Sequence, residues 1–221
     1  MKRLIIITEG PTEKRFVDTV LSPYLINKGI YSVSATSIRK KGQKGGFVNY
    51  EHLRNHLKIF LLSEVEIVIT TMIDFFRIPN SVPNYNLIEN LFSVDEKIDL
   101  LEEGIKADIN DARFIPFIQK HEFEALLFSS IDGFDFQFDN KKLVDKFKDI
   151  IDEFDNPENI NTRPEFSPAN RIKNILKGYG LKYDKPEDGE TISTIIGIEI
   201  MLEKCPRFKI WINRIIEKMQ R

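Results

Sequence analysis

Aliphatic positions run together at the start of the chain and then fall into helical spacing. Leu4 to Thr8 is a largely β-branched run that predicts a fully buried strand. Pro11 and Thr12 suit the first turn of a helix, where proline's missing N–H leaves no donor unpaired. Phe16, Val17, Val20, Leu21, Tyr24 and Leu25 then share one face as far as Gly29, a C-terminal stop. A second strand is predicted over Ile30 to Ile38, followed by the aperiodic basic loop RKKGQKGGF. Asn49 to Leu62 reads as an amphipathic helix carrying Leu53, Leu57, Phe60 and Leu61 on one side. The most strand-like segment, VEIVITTMIDFF, ends on Asp74. A proline-broken loop, RIPNSVPNYN, leads into a helical stretch over residues 84–108, then ARFIPFIQK predicts a strand and HEFEALLFS a short helix.

This alternation of strand and helix, at roughly 30-residue intervals, predicts an α/β fold with a mainly parallel sheet flanked by helices. Strands near 3–8, 30–38, 65–74 and 112–118 should share that sheet. After about residue 138 the character changes. Helices over 140–153 and 168–177 flank the polar connector DNPENINTRPEFSP, and the loop GYGLKYDKPEDGE leads into two last helical stretches. The expected organisation is an α/β domain over residues 1–138 with a helical extension over 139–221 packed on it.

Composition narrows the functional classes. A formal net charge of −2 over 221 residues argues against coating nucleic acid by bulk charge and leaves a local basic groove open. The single cysteine, Cys205, excludes an internal disulfide and a cysteine-rich zinc site. It precedes Pro206 at a helix start, which suits a structural thiol. No apolar run approaches the ~20 residues of a membrane helix, and no signal-peptide pattern opens the chain. The expected location is cytoplasmic, with no membrane association.

In a parallel α/β sheet the chemistry sits beyond the carboxyl ends of the strands. Three acidic clusters fall there: Glu9 with Glu13 one turn later, Asp74, and Glu122 with Glu124 beside His121. Carboxylates from several strand ends suit a hard, oxygen-seeking cation such as Mg²⁺. Glu9 ends a buried strand, where a carboxylate needs a partner or a metal. Glu13 has a second explanation, since the helix dipole favours an acid in a first turn, and Asp74 can equally cap a turn. Glu122 and Glu124 cannot both face the same way on a helix, so one of them should be solvated. Arg39, Lys40, Lys41 and Lys44 lie among glycines in the basic loop, which suits contact with a phosphate backbone or simple solvation. The loop matches neither the phosphate-binding P-loop nor the dinucleotide fingerprint, and no Gly-x-Ser-x-Gly elbow is present.

The order of the motifs ITEGPTEKRF, MIDFF and QKHEFEALLFS resembles the family known as domain of unknown function 4276. SPANRI, KYDKPEDGETIS, IGIE and CPRFKIW resemble its C-terminal half, so the likeness spans nearly the whole chain. That family is similar to the TOPRIM superfamily of topoisomerases, primases and overcoming-lysogenization-defect (OLD) nucleases. The resemblance implies a compact α/β domain with a mainly parallel four-stranded sheet. It also implies a Mg²⁺ site (or Mn²⁺) built from a Glu after strand one and a strand-end Asp-x-Asp. Glu9 matches the first acid, Asp74 the first Asp, and Glu13 the additional Glu of OLD-like nucleases. The second Asp is replaced by Phe76, and Ile78 stands four residues after Asp74. Either His121, Glu122 or Glu124 supplies the missing ligand, or metal binding is weakened.

The function this implies is Mg²⁺-dependent phosphodiester hydrolysis of DNA or RNA, with Glu9 and Asp74 as ligands and Glu13 as a ligand or general base. Lys185, in the YDKPEDG loop, would stabilise transition-state charge. Relatives often sit beside ATPases in bacterial defence gene pairs, which implies a partner ATPase. The alternative is a non-catalytic TOPRIM-like module that contacts such a partner, which Phe76 favours. Phosphoryl transfer to a small nucleotide is a third reading.

Overall fold

Successive side chains along Leu4–Ile7 point to opposite faces, and both faces are covered. Leu4 and Ile6 enter one hydrophobic core while Ile5 and Ile7 enter another. The computed structural model describes residues 2–38, 47, 49–161 and 163–221. Its sheet holds strands β1 (Arg3–Thr8), β2 (Val33–Ser37), β3 (Ile67–Asp74), β4 (Phe114–Ile115) and β5 (Ile118–Gln119). The order is β2-β1-β3-β4, with β5 also beside β3, and every pairing among the described residues is parallel. Thr8 pairs with Met72, so Glu9 and Asp74 leave the sheet at the same edge.

All eight residues of β3 are buried, as its central position requires. The last predicted strand is narrower than expected and broken at Pro116, which cannot donate to the ladder. Two threonines of β3 fill the gap. Thr70 Oγ1 donates to the Ile115 carbonyl at 2.6 Å, and Thr71 Oγ1 both donates to the Phe117 carbonyl and accepts from its N–H, at 2.9 and 2.8 Å.

A continuous helix follows β1 as α1 (Pro11–Phe16), a π-helical stretch (Val17–Leu21) and α2 (Ser22–Asn27), ending at Gly29 with φ +87°. Helix α3 (Tyr50–Ser63) begins where Asn49 accepts from Glu51 N–H. The helix expected over 84–108 is shorter, a 3₁₀ turn at Tyr85–Leu87 and then α4 (Val94–Ile109). HEFEALLFS holds the expected short helix, of 3₁₀ type, over Phe123–Ser129.

Helices α5 (Asp132–Gln137), α6 (Lys141–Glu153), α7 (Pro168–Gly178), α8 (Lys185–Ile196), α9 (Ile198–Lys204) and α10 (Pro206–Gln220) complete the chain. Helices α3 and α4 cover the face of Ile5 and Ile7 through Leu53, Leu57, Ile98 and Leu101. The other face is shared: Phe16 of α1, Phe123 and Phe208 lie in one core with Trp211, which stacks on Phe117 at 4.3 Å. Cys205 is buried there, and burial raises its thiol pKa, as suits an inert structural role.

Helix α8 docks back onto α1 and α5, and two glycines permit it. A Cβ on Gly133 would meet Ile192 at 2.7 Å, and one on Gly189 would meet Thr12 at 3.3 Å. This packing carries the first residue of α8, Lys185, back to the sheet edge. Lys185 therefore opens a helix rather than lying in a loop.

Candidate functional site

Gly10 leaves β1 in an extended conformation and turns the chain into α1. The Glu13 carboxylate reaches back to accept the Gly10 N–H at 2.8 Å, satisfying a donor that the helix start leaves free. The two acids of the first motif thus fold over one turn. Glu9 Oε2 accepts the backbone N–H of Asp74 at 3.2 Å, and Asp74 Oδ1 accepts the N–H of Phe123 at 3.0 Å. Each of these carboxylates is anchored through one oxygen by a backbone donor.

Glu124 completes the group from the 3₁₀ helix. It is 1% exposed, and its Oε1 lies 2.7 Å from Lys185 Nζ at the start of α8. Glu124 Oε2 has no hydrogen-bond partner among the described residues. Glu122 is buried as well, so the expectation that one of the two glutamates is solvated fails. They escape helical geometry in different ways. Glu122 precedes the 3₁₀ turn in extended backbone, and its Oε2 accepts Ala169 N–H at 3.0 Å, capping the first turn of α7.

Crowding shows in the electrostatics. Burial, then repulsion from Glu9, Glu13 and Glu124, lifts the Asp74 carboxyl well above its ordinary range, with Lys185 opposing. Burial, then Glu9 and Glu124, lifts Glu13 to about 7. Burial also raises Glu9, against the backbone donors of Asp74 and Phe47. Burial works against the charge of Lys185, but Glu124, Glu122 and Asp74 outweigh it and raise its pKa.

The structure brings Glu9, Glu13, Asp74, Glu124 and Lys185 into one electrostatic cluster, with Glu122 at its margin. It does not bring His121. That residue adopts φ +64°, its Nδ1 meets Asn161 Nδ2 at 3.4 Å, and it lines a different cavity. Burial and Lys120 push its pKa down to about 4, against Asp95. The basic-loop residues Arg39, Lys40, Lys41 and Lys44 lie outside the described residues.

Sequence reasoning missed Tyr183. Its hydroxyl is buried without a partner among the described residues, and burial followed by Glu124 and Asp188 raises its pKa far above the usual value. Its place two residues before Lys185 was the available signal.

Among the described residues no group of three or more His, Cys, Asp or Glu side chains is drawn together as a metal-ligand set. The donors nonetheless fit a hard cation: they are all carboxylate oxygens, they repel one another, and Glu124 Oε2 is buried without a donor.

A family profile described as "Domain of unknown function (DUF4276)" matches residues 8–216. Among solved structures, the fold is similar to the C-terminal region of the Burkholderia pseudomallei OLD protein. The TM-score is 0.53 at 16% identity, over 99% of this chain and 97% of that one. The C-terminal region of the Xanthomonas campestris pv. campestris OLD protein aligns with a TM-score of 0.48 and 15% identity, over 99% and 94% of the two chains. A comparison with curated proteins finds no match. The parallel α/β arrangement expected from the sequence is the one shared with the Burkholderia protein's C-terminal region.

Proposed function

Because this chain belongs to the family described as Domain of unknown function (DUF4276), and its strand-end carboxylates meet at one edge, we propose that it is a metal-dependent, TOPRIM-like nuclease. The observation that carries this reading is the convergence of Glu9, Glu13 and Asp74 with Glu124 and Lys185. A similar fold in the C-terminal region of the Burkholderia pseudomallei OLD protein supports it.

Glu9, Asp74 and Glu13 would hold Mg²⁺ or Mn²⁺, with Glu124, and Glu122 through its uncapped oxygen, as further donors in place of the acid that Phe76 replaces. A divalent ion bound there supplies polarisation of a phosphoryl oxygen and a more acidic water. The protein's own groups do the rest. Backbone donors fix Glu9 and Asp74 before substrate arrives, so little reorganisation remains. If it is not a ligand, Glu13 would be the general base that takes a proton from attacking water. Lys185 offers a cation to phosphate oxygens as negative charge builds up. The basic loop would track the phosphate backbone of DNA or RNA. Among the described residues no helix is long and apolar enough to cross a membrane, and a cytoplasmic role in bacterial phage defence beside a partner ATPase agrees with this reading.

Phe76 favours a second reading, a binding module without catalysis that contacts the ATPase. One experiment separates them. Wild type, Glu9→Gln and Asp74→Asn are incubated with single-stranded and duplex DNA and RNA in Mg²⁺ or Mn²⁺. The nuclease reading expects cleavage by wild type alone. No cleavage of any substrate, with no metal effect on melting, leaves the binding module.

A further inference from the structure

The strand that ends on Asp74 continues directly into a second feature. Phe75 and Phe76 form part of the wall of a cavity of about 390 Å³ that also includes Tyr85, His121 and Asn161. Three cations, Arg77, Lys97 and Arg163, line it against one acid, Glu89. The Arg77 guanidinium lies over the Phe76 ring, 5.1 Å from its centroid. A site of this size falls within the range of small-ligand pockets.

Its backbone is held in an uncommon form. Phe76 N–H donates to the His121 carbonyl at 2.9 Å. Arg77 and His121, beside and at that bond, have φ values of +61° and +64°. Side chains rarely adopt this conformation without support from their surroundings, and such departures gather at functional sites. Here His121, in its left-handed conformation, forms part of the cavity wall, while two residues later Phe123 N–H donates to the Asp74 carboxylate. One short segment thus forms a wall of both sites. Phe76 lies two positions after Asp74, a span of at most about 7 Å, which one unstacked nucleotide bridges.

Aromatic faces beside a cationic rim are the means by which single-stranded nucleic acid is held without sequence preference. We propose that this cavity takes the unstacked base of a nucleotide neighbouring the scissile phosphate, so that the substrate is single-stranded nucleic acid. Phe76 then serves as a stacking platform at the position where a metal-binding acid would otherwise stand. Paired duplex keeps its bases stacked and cannot fill the cavity. The inference rests on the nuclease reading for the nature of the substrate.

The test measures binding rather than cleavage, in EDTA at low salt, with a short fluorescent oligothymidylate and an abasic strand of the same length. Wild type should bind the base-bearing strand roughly tenfold more tightly. Phe76→Ala and His121→Asn should each reduce that ratio towards one and leave abasic binding unchanged. Asn tolerates the left-handed backbone at 121, and Phe76→Leu keeps the bulk without the aromatic face should Phe76→Ala not fold. Equal affinity of wild type for the two strands overturns the proposal, as does a preference that survives all three substitutions or tighter binding to duplex. Failure of the nuclease reading has a different signature: base-dependent binding persists, but no metal supports cleavage.

Discussion

Asp74 donates its backbone N–H to Glu9 Oε2 at 3.2 Å, tying two acids that lie 65 positions apart in sequence at the mouth of neighbouring parallel strands. Their separation is thereby set by sheet register rather than by flexible side chains. Register is a property that substitution of either carboxylate leaves intact.

Mg²⁺ or Mn²⁺ should raise the melting temperature by relieving the repulsion among Glu9, Glu13 and Asp74. At free metal a hundred times its dissociation constant the gain is about 2.7 kcal/mol, a shift of several degrees for a chain of this size. Glu9→Gln and Asp74→Asn keep an acceptor oxygen and remove the charge. Both should be at least as stable as wild type without metal and should lose the metal response. Differential scanning calorimetry with and without metal decides this, and a response retained by both variants would count against the proposed ligands.

Lys185→Met leaves the Glu124 carboxylate buried without its cation. Breaking such a pair costs several kcal/mol when both partners are buried. Lys185 is 36% exposed along its side chain, so screening reduces the expected loss to about 1–3 kcal/mol. Adding Glu124→Gln to Lys185→Met should recover most of it. Urea unfolding of the four-member cycle measures the coupling; additive effects would mean that the pair contributes nothing.

Glu102 predicts a pH dependence away from the site. Burial lifts its carboxyl to about 7, against the Ile118 N–H and Arg207. The folded state then binds more protons than the unfolded state between about pH 4.5 and 7, so this group makes stability fall as pH rises through that window. The loss is present in full above pH 7 and absent below the unfolded value, and amounts to at most about 3 kcal/mol. Glu102→Gln keeps an acceptor for Ile118 and should flatten this part of the profile. Chemical unfolding at pH 5 and pH 8 should show wild type losing more stability than the variant; equal losses would assign the pH dependence elsewhere.

Neutralising Lys40, Lys41 and Lys44 to Gln should weaken nucleic-acid binding and flatten its dependence on salt. Every lysine that neutralises a phosphate adds about 0.7 to the logarithmic salt slope for a single strand, and its removal takes that share away. Fluorescence anisotropy across a salt series reads this directly, and an unchanged slope would show that the loop is merely solvated.

The strand-end acids were legible because their signals are local. A buried aliphatic run ending in Glu9, and a second ending in Asp74, announces where each strand stops, and parallel topology puts both stops on one edge. Boundaries were less legible where one residue acted against the pattern. Pro116 splits a run that looks continuous, and its consequences are absorbed by threonines of another strand.

Local pattern alone was enough to set the α/β class and the positions of Glu9, Glu13 and Asp74 at element ends, since hydrophobic period and chain-stopping residues act over a few positions. Tertiary structure decided which other groups join them. Lys185 reaches Glu124 because Gly133 and Gly189 let α8 approach α5 and α1 closely. Glu122 is drawn to the N-terminus of α7, and His121, with its left-handed backbone, lies in the wall of a different cavity. Periodicity reports that a face is buried, but not against which partner. Those choices depend on close packing between segments far apart in the chain, where a missing Cβ or one backbone donor settles which side chains can meet.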